Sequence, residues 1–246
     1  MKRRAVIFYC DNTRSGKLTG AMRDNQNYRS FLMSSLGGEW HPAEILSVRN
    51  PTAWDVQRVQ SEFLFDADYT NVIYSGHGAT NMADNRRQYL ELADDDVPFN
   101  WLDTGAQRQT LILDTCRNYT TIIPRVLQGF DEDHYYGFLG KDSTRRIFDN
   151  AVLKSPPGYS IMYSASPNQS SLDTSEGGAY SLSLMKGALH FRDCVPNFNI
   201  MNIKGAHLRG SEFLKRDFQK RSPFTQTPVM YRKNRLIQYP FAVKAF

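Results

Sequence analysis

Short apolar runs that predict β-strands alternate along this chain with segments of helical spacing. The predicted strands cover residues 4–10, 43–48, 69–75, 110–114 and 159–165, and the predicted helices cover residues 25–36, 52–65 and 178–189. Several of these strands are continuously apolar, which is typical of strands that are buried on both faces. The pattern therefore predicts an α/β protein with a mostly parallel sheet and helices on both faces.

Polar residues and proline mark the starts of the first two helices. Asp24 or Asn25 can cap the first helix, because a short side-chain oxygen accepts hydrogen bonds from unpaired N–H groups of the first turn. Pro51 and Thr52 open the second helix, since the first turn is the part of a helix that tolerates proline. These residues therefore mark where the first two helices are expected to begin.

The rest of the chain is less regular. Residues 117–158 predict a long, partly mobile insertion that carries Lys141, Arg145 and Arg146. Residues 225–243 predict a turn that is followed by two short strands. No linker divides the chain convincingly, so residues 1–246 are expected to form a single domain.

Length and composition exclude several classes of protein. The chain has 246 residues, of which 41% are hydrophobic, and no apolar stretch approaches the roughly 20 residues that a membrane helix needs. The first apolar run ends at Asp11, too early for the core of a signal peptide, so we expect a cytoplasmic protein without a membrane partner. The three cysteines, Cys10, Cys116 and Cys194, are too few and odd in number for a disulfide framework.

The net charge of +5 is spread along the chain, with one local basic run around Lys215, Arg216, Lys220 and Arg221. This run predicts the solvated face of a helix. No aromatic–basic motif accompanies it, so no nucleic-acid partner is expected.

Two short motifs place reactive side chains directly after predicted strands. The stretch VIYSGHG leads to His77, and the stretch LILDTCRN leads to Cys116. Since ligands bind at the carboxyl ends of strands in open α/β sheets, neighbouring strands would bring both side chains to one edge. An imidazole can take the proton of a thiol and later protonate a leaving amine. Each motif alone also fits a simpler role, as a turn or a small core residue, but the two together favour a catalytic dyad.

The glycines beside His77 add a second element of the same chemistry. Without a Cβ atom, the backbone there lets a substrate carbonyl approach closely. The N–H groups of Gly78 and Cys116 are therefore the predicted oxyanion hole, which stabilises negative charge on that carbonyl.

The order YSGHG then LILDTCR resembles the caspase and metacaspase group of cysteine peptidases, of clan CD and type C14. Cys116 and Arg117 fit the caspase signature, whereas Asp114 and Asn118 depart from it, and an Asp two residues before Cys is closer to metacaspases. Three further stretches resemble family segments, the last of them the ending of bacterial caspase-like domains: KLTGAMRDNQNYRSFL, YSIMYSASPNQSSLDTSEGGAYS and TQTPVMYRKNRLIQYPFAV. The resemblance covers residues 4–243 and implies a caspase-like three-layer sandwich, with His77 as general base and Cys116 as nucleophile.

The resemblance also maps the family's acidic specificity pocket, S1, onto Asp24, Ser75 and Asp114, with Ala21 where metacaspases often have cysteine. Two carboxylates beside the nucleophile repel an acidic substrate side chain and attract a basic one. Because a planar guanidinium can bridge two carboxylates, arginine is expected in preference to lysine. The competing interpretations are a helix N-cap for Asp24 and a strand-end turn residue for Asp114.

The sequence therefore predicts a cysteine endopeptidase that cuts protein substrates after exposed Arg or Lys residues. Lys141, Arg145 and Arg146 are the predicted processing sites of a zymogen, cut by the enzyme itself or by an upstream protease or regulator. Family analogy links such bacterial domains to antiviral defence or cell-death cascades. Two alternatives remain open: a catalytically silent interaction module with the same fold, and a cysteine hydrolase that acts on small amides or esters.

No cofactor is expected to be required, although metacaspases often need calcium. Asp94, Asp95 and Asp96 lie in roughly the region of the family's calcium ligands, and hard oxygen ligands suit this ion. A solvated acidic turn explains the same run equally well, so the sequence leaves calcium open.

Overall fold

The architecture is an α/β sandwich, and the computed structural model describes residues 1–83, 87–119, 143–219 and 225–245. The described strands, in chain order, are β1 (Arg3–Tyr9), β2 (Asn12–Thr13), β3 (Gly16–Lys17), β4 (Ile45–Arg49), β5 (Tyr69–Ser75), β6 (Gly78–Asn81), β7 (Arg87–Glu91), β8 (Asp96–Pro98), β9 (Arg108–Asp114), β10 (Gly158–Tyr163), β11 (Asp173–Thr174), β12 (Gly177–Gly178), β13 (Ile200–Asn202), β14 (Val229–Arg232) and β15 (Pro240–Val243). The described helices are α1 (Thr19–Met33), α2 (Ala53–Val59), α3 (Ser143–Lys154), α4 (Ala179–Cys194) and α5 (Ile203–Asp217).

The central sheet contains the predicted apolar strands. Its order is β14-β10-β9-β5-β1-β4, and every neighbouring pair is parallel except β14 with β10. Strand β5 is buried along its whole length, and β9 is buried at all but its first residue. Such burial on both faces explains why these strands read as continuous apolar runs.

Two hydrophobic cores lie on opposite faces of the sheet, because successive side chains of a strand point in opposite directions. Ile7 and Ile73 belong to the core that α1, α3, α4 and α5 cover. Val6 and Val72 belong to the other core, where α2 packs. The sandwich therefore has three layers, with the carboxyl ends of the parallel strands open at one edge.

A fully buried arginine fixes α3 to the first strand. The Arg3 guanidinium is 0% exposed and pairs with Asp149 of α3 at 3.0 Å and with Glu44 at 3.5 Å. It also donates to the carbonyls of Gly38 and Glu39 at 2.7 Å and 2.9 Å. These contacts satisfy the buried charge, so removing this one side chain would take a donor from the Asp149 carboxylate and from the buried Gly38 carbonyl.

The predicted fold class is confirmed, and so is the adjacency of the strands before His77 and Cys116, which are β5 and β9. The start of the first helix was wrong: α1 begins at Thr19, so Asp24 lies inside the helix and does not cap it. The prediction of an irregular insertion over residues 117–158 was also wrong in part, because the second half of this segment contains α3. None of the described helices is both long and apolar enough to cross a membrane.

Candidate active site

The strand pairing brings the two motifs to one edge. Ser75 at the end of β5 lies opposite Asp114 at the end of β9 in the parallel register. His77 and Cys116 each follow their strand end by two residues, so they emerge side by side at the carboxyl edge of the sheet. They line one cleft, whose other lining residues are Leu18, Ser75, Gly76, Asp114, Thr115, Ser171, Leu172, Asp173 and Gly178.

A small hairpin and a buried carboxylate hold His77. The imidazole hydrogen-bonds to the backbone of Gly16, and its Nε2 atom has no hydrogen-bond partner among the described residues. The Glu91 carboxylate accepts from the N–H and the hydroxyl of Ser15 at 2.8 Å and 2.5 Å, which ties the hairpin down. Burial lowers the pKa of His77, against the opposing effects of the Glu91 charge and the Gly16 bond. The ring is therefore neutral near pH 7 and can accept a proton.

The Cys116 sulfur is held by the backbone of one residue. Sγ accepts a hydrogen bond from the Ser171 N–H at 3.3 Å, and the thiol donates to the Ser171 carbonyl at 3.7 Å. Burial raises the pKa of Cys116; the Ser171 backbone bond lowers it, and the charges of Asp114 and Asp173 raise it further. The resting pair is thus a neutral thiol and a neutral imidazole. The imidazole must then take the thiol proton as the sulfur attacks.

Two backbone N–H groups next to the dyad are candidates for binding a substrate oxygen. The Glu91 N–H donates to the His77 carbonyl at 3.1 Å, so by ladder alternation the Gly78 N–H points away from β7. The Thr80 N–H, on the same side of β6, donates to a carbonyl in the segment after Cys116. Within the described part of the chain, the Cys116 N–H donates to no partner. This arrangement is what the predicted oxyanion hole requires, and that role stays a prediction.

Asp24 lies on the buried face of α1, one turn after Ala21. Its carboxylate is 0% exposed and accepts hydrogen bonds from the Ser75 hydroxyl at 2.6 Å and from the Gly178 N–H at 2.9 Å. Burial and then the charge of Asp114 raise its pKa well above the usual range, and the Ser75 hydrogen bond opposes them. Asp24 is therefore a buried acid in contact with the cleft, and its side chain plays no part in capping.

Asp114 ends β9 and is also buried. One carboxylate oxygen accepts from the Ser171 hydroxyl at 2.6 Å. The other accepts from the N–H and the hydroxyl of Ser181 at 3.0 Å and 2.6 Å. Every one of these donors is neutral, as are those of Asp24, and neither carboxylate has an ion-pair partner among the described residues. The two acids thus form an acidic floor that has no cation partner among the described residues.

A glycine pair leaves room for this floor. A Cβ atom at Gly178 would overlap the Asp114 carboxylate, and one at Gly177 would overlap that of Asp24. Gly177 also has a φ of +137°, which residues with side chains rarely adopt. Each glycine lies directly against one carboxylate, so neither position has room for a side chain.

A third carboxylate lies at the rim of the cleft. Asp173 accepts from the Gly20 N–H at 3.2 Å and so caps the first turn of α1 from a distant part of the chain. Burial raises its pKa to about 6, and the Asp114 charge adds to this effect. Asp173 increases the negative potential around the nucleophile.

A family model for the caspase domain matches residues 2–235. The chain belongs to the caspase domain family. It is similar in structure to caspase-1 from Spodoptera frugiperda, with a TM-score of 0.59 and 15% identity over 94% of this chain and 86% of that chain. A likeness at this identity shows a shared fold. A search of curated proteins found no match.

Membership of the caspase domain family confirms the resemblance that the sequence motifs indicated. The structure brings together all five predicted residues of the dyad and the S1 pocket: His77, Cys116, Asp24, Ser75 and Asp114. Their roles in binding and catalysis stay predictions. A cysteine-type peptidase is the activity that the family implies, and protein substrates are its implied partners.

The predicted processing sites lie apart from the cleft or outside the described residues. Arg145 is in the first turn of α3, where its guanidinium pairs with Glu44 at 2.5 Å. Arg146 is the next residue of the same helix. Lys141 lies outside the described residues. Peptidases bind extended substrates, so cleavage at Arg145 or Arg146 would need the first turn of α3 to unwind.

The acidic run proposed for calcium is engaged in other contacts. Asp94 accepts from the Ala53 N–H at 2.9 Å, and Asp96 pairs with Arg14 at 2.7 Å. No group of three or more His, Cys, Asp or Glu side chains among the described residues is arranged to hold a metal ion. As they are placed here, Asp94, Asp95 and Asp96 do not fit a calcium cage.

Sequence reasoning did not find several residues that shape the site. Ser171, Asp173 and Gln226 fall within stretches that resemble family segments, but no local pattern shows what they contact. Glu91 follows an ordinary strand pattern, and nothing around it in the sequence points to His77. Only the tertiary structure joins these residues to the cleft.

Proposed function

We propose that this protein is a cysteine endopeptidase that cleaves proteins after basic residues, with arginine preferred to lysine. His77 accepts the thiol proton, and Cys116 attacks the scissile carbonyl. The Gly78 and Cys116 N–H groups stabilise the oxyanion that forms. The imidazolium then donates its proton to the leaving amine, and water hydrolyses the acyl-enzyme.

The observation that carries this proposal is the uncompensated acidic floor beneath the nucleophile. Asp24 and Asp114 are buried, close enough for the charge of Asp114 to raise the pKa of Asp24, and hydrogen-bonded only to neutral groups. Such a pair stabilises a bound cation and disfavours a bound anion. The substrate residue before the scissile bond is therefore basic.

The geometry of the donors favours arginine. A guanidinium presents several N–H groups in one plane and can bond to two carboxylates at once, whereas an ammonium acts as a point charge. Ser75, between the dyad and Asp24, supplies a further neutral oxygen to this pocket.

A peptide panel tests the proposal. Wild-type protein is assayed with fluorogenic peptides that differ only in Arg, Lys, Gln or Asp before the scissile bond, with and without calcium. Cleavage after Arg is expected to be fastest, to be lost in Cys116→Ala, and to be kept in the matched variant Cys194→Ala, whose cysteine is exposed at the end of α4. Preferred cleavage after Asp would contradict the proposal. Absence of cleavage with every peptide would favour a catalytically silent interaction module.

We also propose that activation depends on cleavage or on an upstream regulator, in the cytoplasm of a bacterium, within a defence or cell-death cascade. The support for an activation step is that hydroxyl groups of Ser75, Ser171 and Ser181 cover both floor carboxylates in the resting site. The cellular setting is proposed by analogy with the family. Mapping new termini by mass spectrometry in wild-type and Cys116→Ala protein tests the processing step. A fully active enzyme that remains uncut would eliminate it.

A further inference from the structure

One residue contacts both the nucleophile and the specificity pocket. The Ser171 backbone brackets the Cys116 sulfur, with its N–H at 3.3 Å and its carbonyl at 3.7 Å. The Ser171 hydroxyl donates to the Asp114 carboxylate at 2.6 Å. Ser171 is buried. We call this double contact the Ser171 bridge.

A buried glutamine supports the bridge from behind. Gln226 is 0% exposed, and its Nε2 donates to the Ser171 hydroxyl at 3.0 Å and to the Ser164 carbonyl at 3.0 Å. Its Oε1 accepts from the Leu172 N–H at 3.0 Å. Gln226 therefore orients the Ser171 hydroxyl, which receives one hydrogen bond and donates its own proton to Asp114.

The bridge closes both parts of the site in the resting protein. One Asp114 oxygen accepts its hydrogen bond from Ser171, so a guanidinium that takes the place of the hydroxyl there would break this contact. The backbone N–H of the same residue donates to the sulfur, so the nucleophile is hydrogen-bonded while the bridge stands. Both contacts belong to one residue, so a displacement of residue 171 would change both.

We propose that Ser171 is a positioning residue that makes release of the nucleophile depend on a basic side chain in the pocket. A guanidinium that binds Asp114 displaces the Ser171 hydroxyl, and residue 171 then moves off the Cys116 sulfur. This inference rests on the proposed cleavage after basic residues. Charge acts in the same direction, since the Asp114 carboxylate raises the pKa of Cys116 and a bound cation cancels that effect.

Alkylation of Cys116 by iodoacetamide reports release of the sulfur without any peptide substrate. The rate is measured by mass spectrometry of full-length protein in a Cys194→Ala background, where the only other cysteine, Cys10, is 0% exposed. Methylguanidine is the probe for the pocket, and tetramethylammonium at equal ionic strength is its control. Loss of a typical hydrogen bond corresponds to about a fivefold change in equilibrium, and a bond to a carboxylate is worth more, so this factor is the lower bound here.

Methylguanidine is expected to speed wild-type alkylation about fivefold, and tetramethylammonium is expected to leave it unchanged. Ser171→Ala should be about fivefold faster without any cation and should respond little to methylguanidine. Ser171→Thr keeps a hydroxyl and should restore the wild-type behaviour. Ser166→Ala changes a serine of the same loop whose hydroxyl donates to the Thr227 carbonyl, away from Cys116 and Asp114, and should behave as wild type. Melting temperatures confirm that each variant is folded.

Peptide cleavage supplies a second readout. In Ser171→Ala, the preference for Arg over norleucine before the scissile bond should fall about fivefold in kcat, because release no longer requires a cation. A folded Ser171→Ala with wild-type alkylation, an unchanged response to methylguanidine and an unchanged preference would overturn the inference.

The two proposals fail in different ways. If wild-type protein cleaves after Arg but its alkylation ignores methylguanidine, the inference is wrong and the proposed function stands. If methylguanidine speeds alkylation but no basic peptide is cleaved, the coupling stands and the proposed function is wrong. If neither occurs, both are wrong.

Discussion

Replacing Asp24 by asparagine removes one ionisable carboxyl from the acidic floor with almost no change of shape. The carboxamide that Asp24→Asn introduces can still accept from the Gly178 N–H, and its amino group can donate to the Ser75 oxygen once that hydroxyl rotates. Burial and the charge of Asp114 disfavour an ionised Asp24, so the variant should melt no lower than wild type. The effect of the substitution should therefore appear in function and not in folding.

The size of the functional effect follows from the lost contact. A charge-assisted hydrogen bond is worth roughly 1.5–3 kcal/mol, and each 1.36 kcal/mol is tenfold, so kcat/KM for an Arg peptide should fall about ten- to 150-fold. The kcat/KM for a matched Gln peptide should change little, because a neutral side chain forms no charge-assisted hydrogen bond. The ratio of the two values isolates the charge.

The pH dependence gives a second signature of the same carboxylate. A bound guanidinium favours the ionised form of Asp24, whose pKa in the free pocket is raised. Affinity for Arg peptides should therefore increase as pH rises through that raised pKa and decrease below it. Stability runs the other way: the neutral carboxyl stabilises the fold at low pH, and this contribution is lost as pH rises through the folded-state pKa. Asp24→Asn should flatten both profiles.

The assay is steady-state cleavage of the Arg and Gln peptides across pH, with thermal melting of each variant. Asp103→Asn is the matched control, since Asp103 is exposed in a turn before β9 and bonds to the Gly105 N–H. If Asp24→Asn folds normally and keeps the full Arg preference, the acidic floor does not select the substrate and the reasoning is refuted.

Three further substitutions test other parts of the account. Gly178→Ala places a Cβ atom on the Asp114 carboxylate, so it should lower the free energy of unfolding by about 1–3 kcal/mol and abolish Arg cleavage; unchanged denaturation and kinetics would contradict this. Arg3→Met removes the donor to the Asp149 carboxylate and to the buried Gly38 carbonyl and should cost about 3–5 kcal/mol in urea denaturation, whereas a loss below about 1 kcal/mol would show that the network adds little. Glu91→Gln removes a charge that raises the pKa of His77, so the acid limb of kcat/KM should move to lower pH; a shift to higher pH would refute that coupling.

The strands and the dyad could be predicted from sequence because their signals are local. A buried parallel strand reads as an apolar run, and the polar residue that ends it marks the functional edge. The strand 69–75 matches β5 residue for residue, and His77 follows it as expected. That the strands before His77 and Cys116 are neighbours was only an assumption from the sequence; the structure pairs β5 with β9, which places both residues at the edge where ligands bind.

Helix boundaries were less predictable, since distant residues decide them. The start of α1 has no capping side chain of its own, and the carboxylate that contacts its first turn is that of Asp173. A local interpretation therefore placed the start at the first acidic residue, Asp24, which is instead buried in the cleft. Helix propensity alone could not reveal a cap that Asp173 supplies from a distant part of the chain.

The Ser171 bridge was beyond sequence reasoning for the same reason. Ser171, Gln226 and Asp114 are far apart in the chain and carry no mutual signal. The loop that holds Ser171 is rich in small polar residues, which predicts a turn and does not show what it contacts. A hydrogen-bond network of this kind is visible only after the sheet has brought its members together.

The central claim is that Cys116 attacks peptides whose basic side chain lies on the acidic floor. The most direct measurement is covalent labelling with two acyloxymethyl ketones that differ only in Arg or Asp next to the reactive carbon, followed by peptide mapping. The account predicts a single adduct on Cys116 with the Arg reagent, formed at least tenfold faster than with the Asp reagent and lost in His77→Ala, where a tenfold ratio is about 1.4 kcal/mol. Faster labelling by the Asp reagent, or an adduct on another residue, would contradict it.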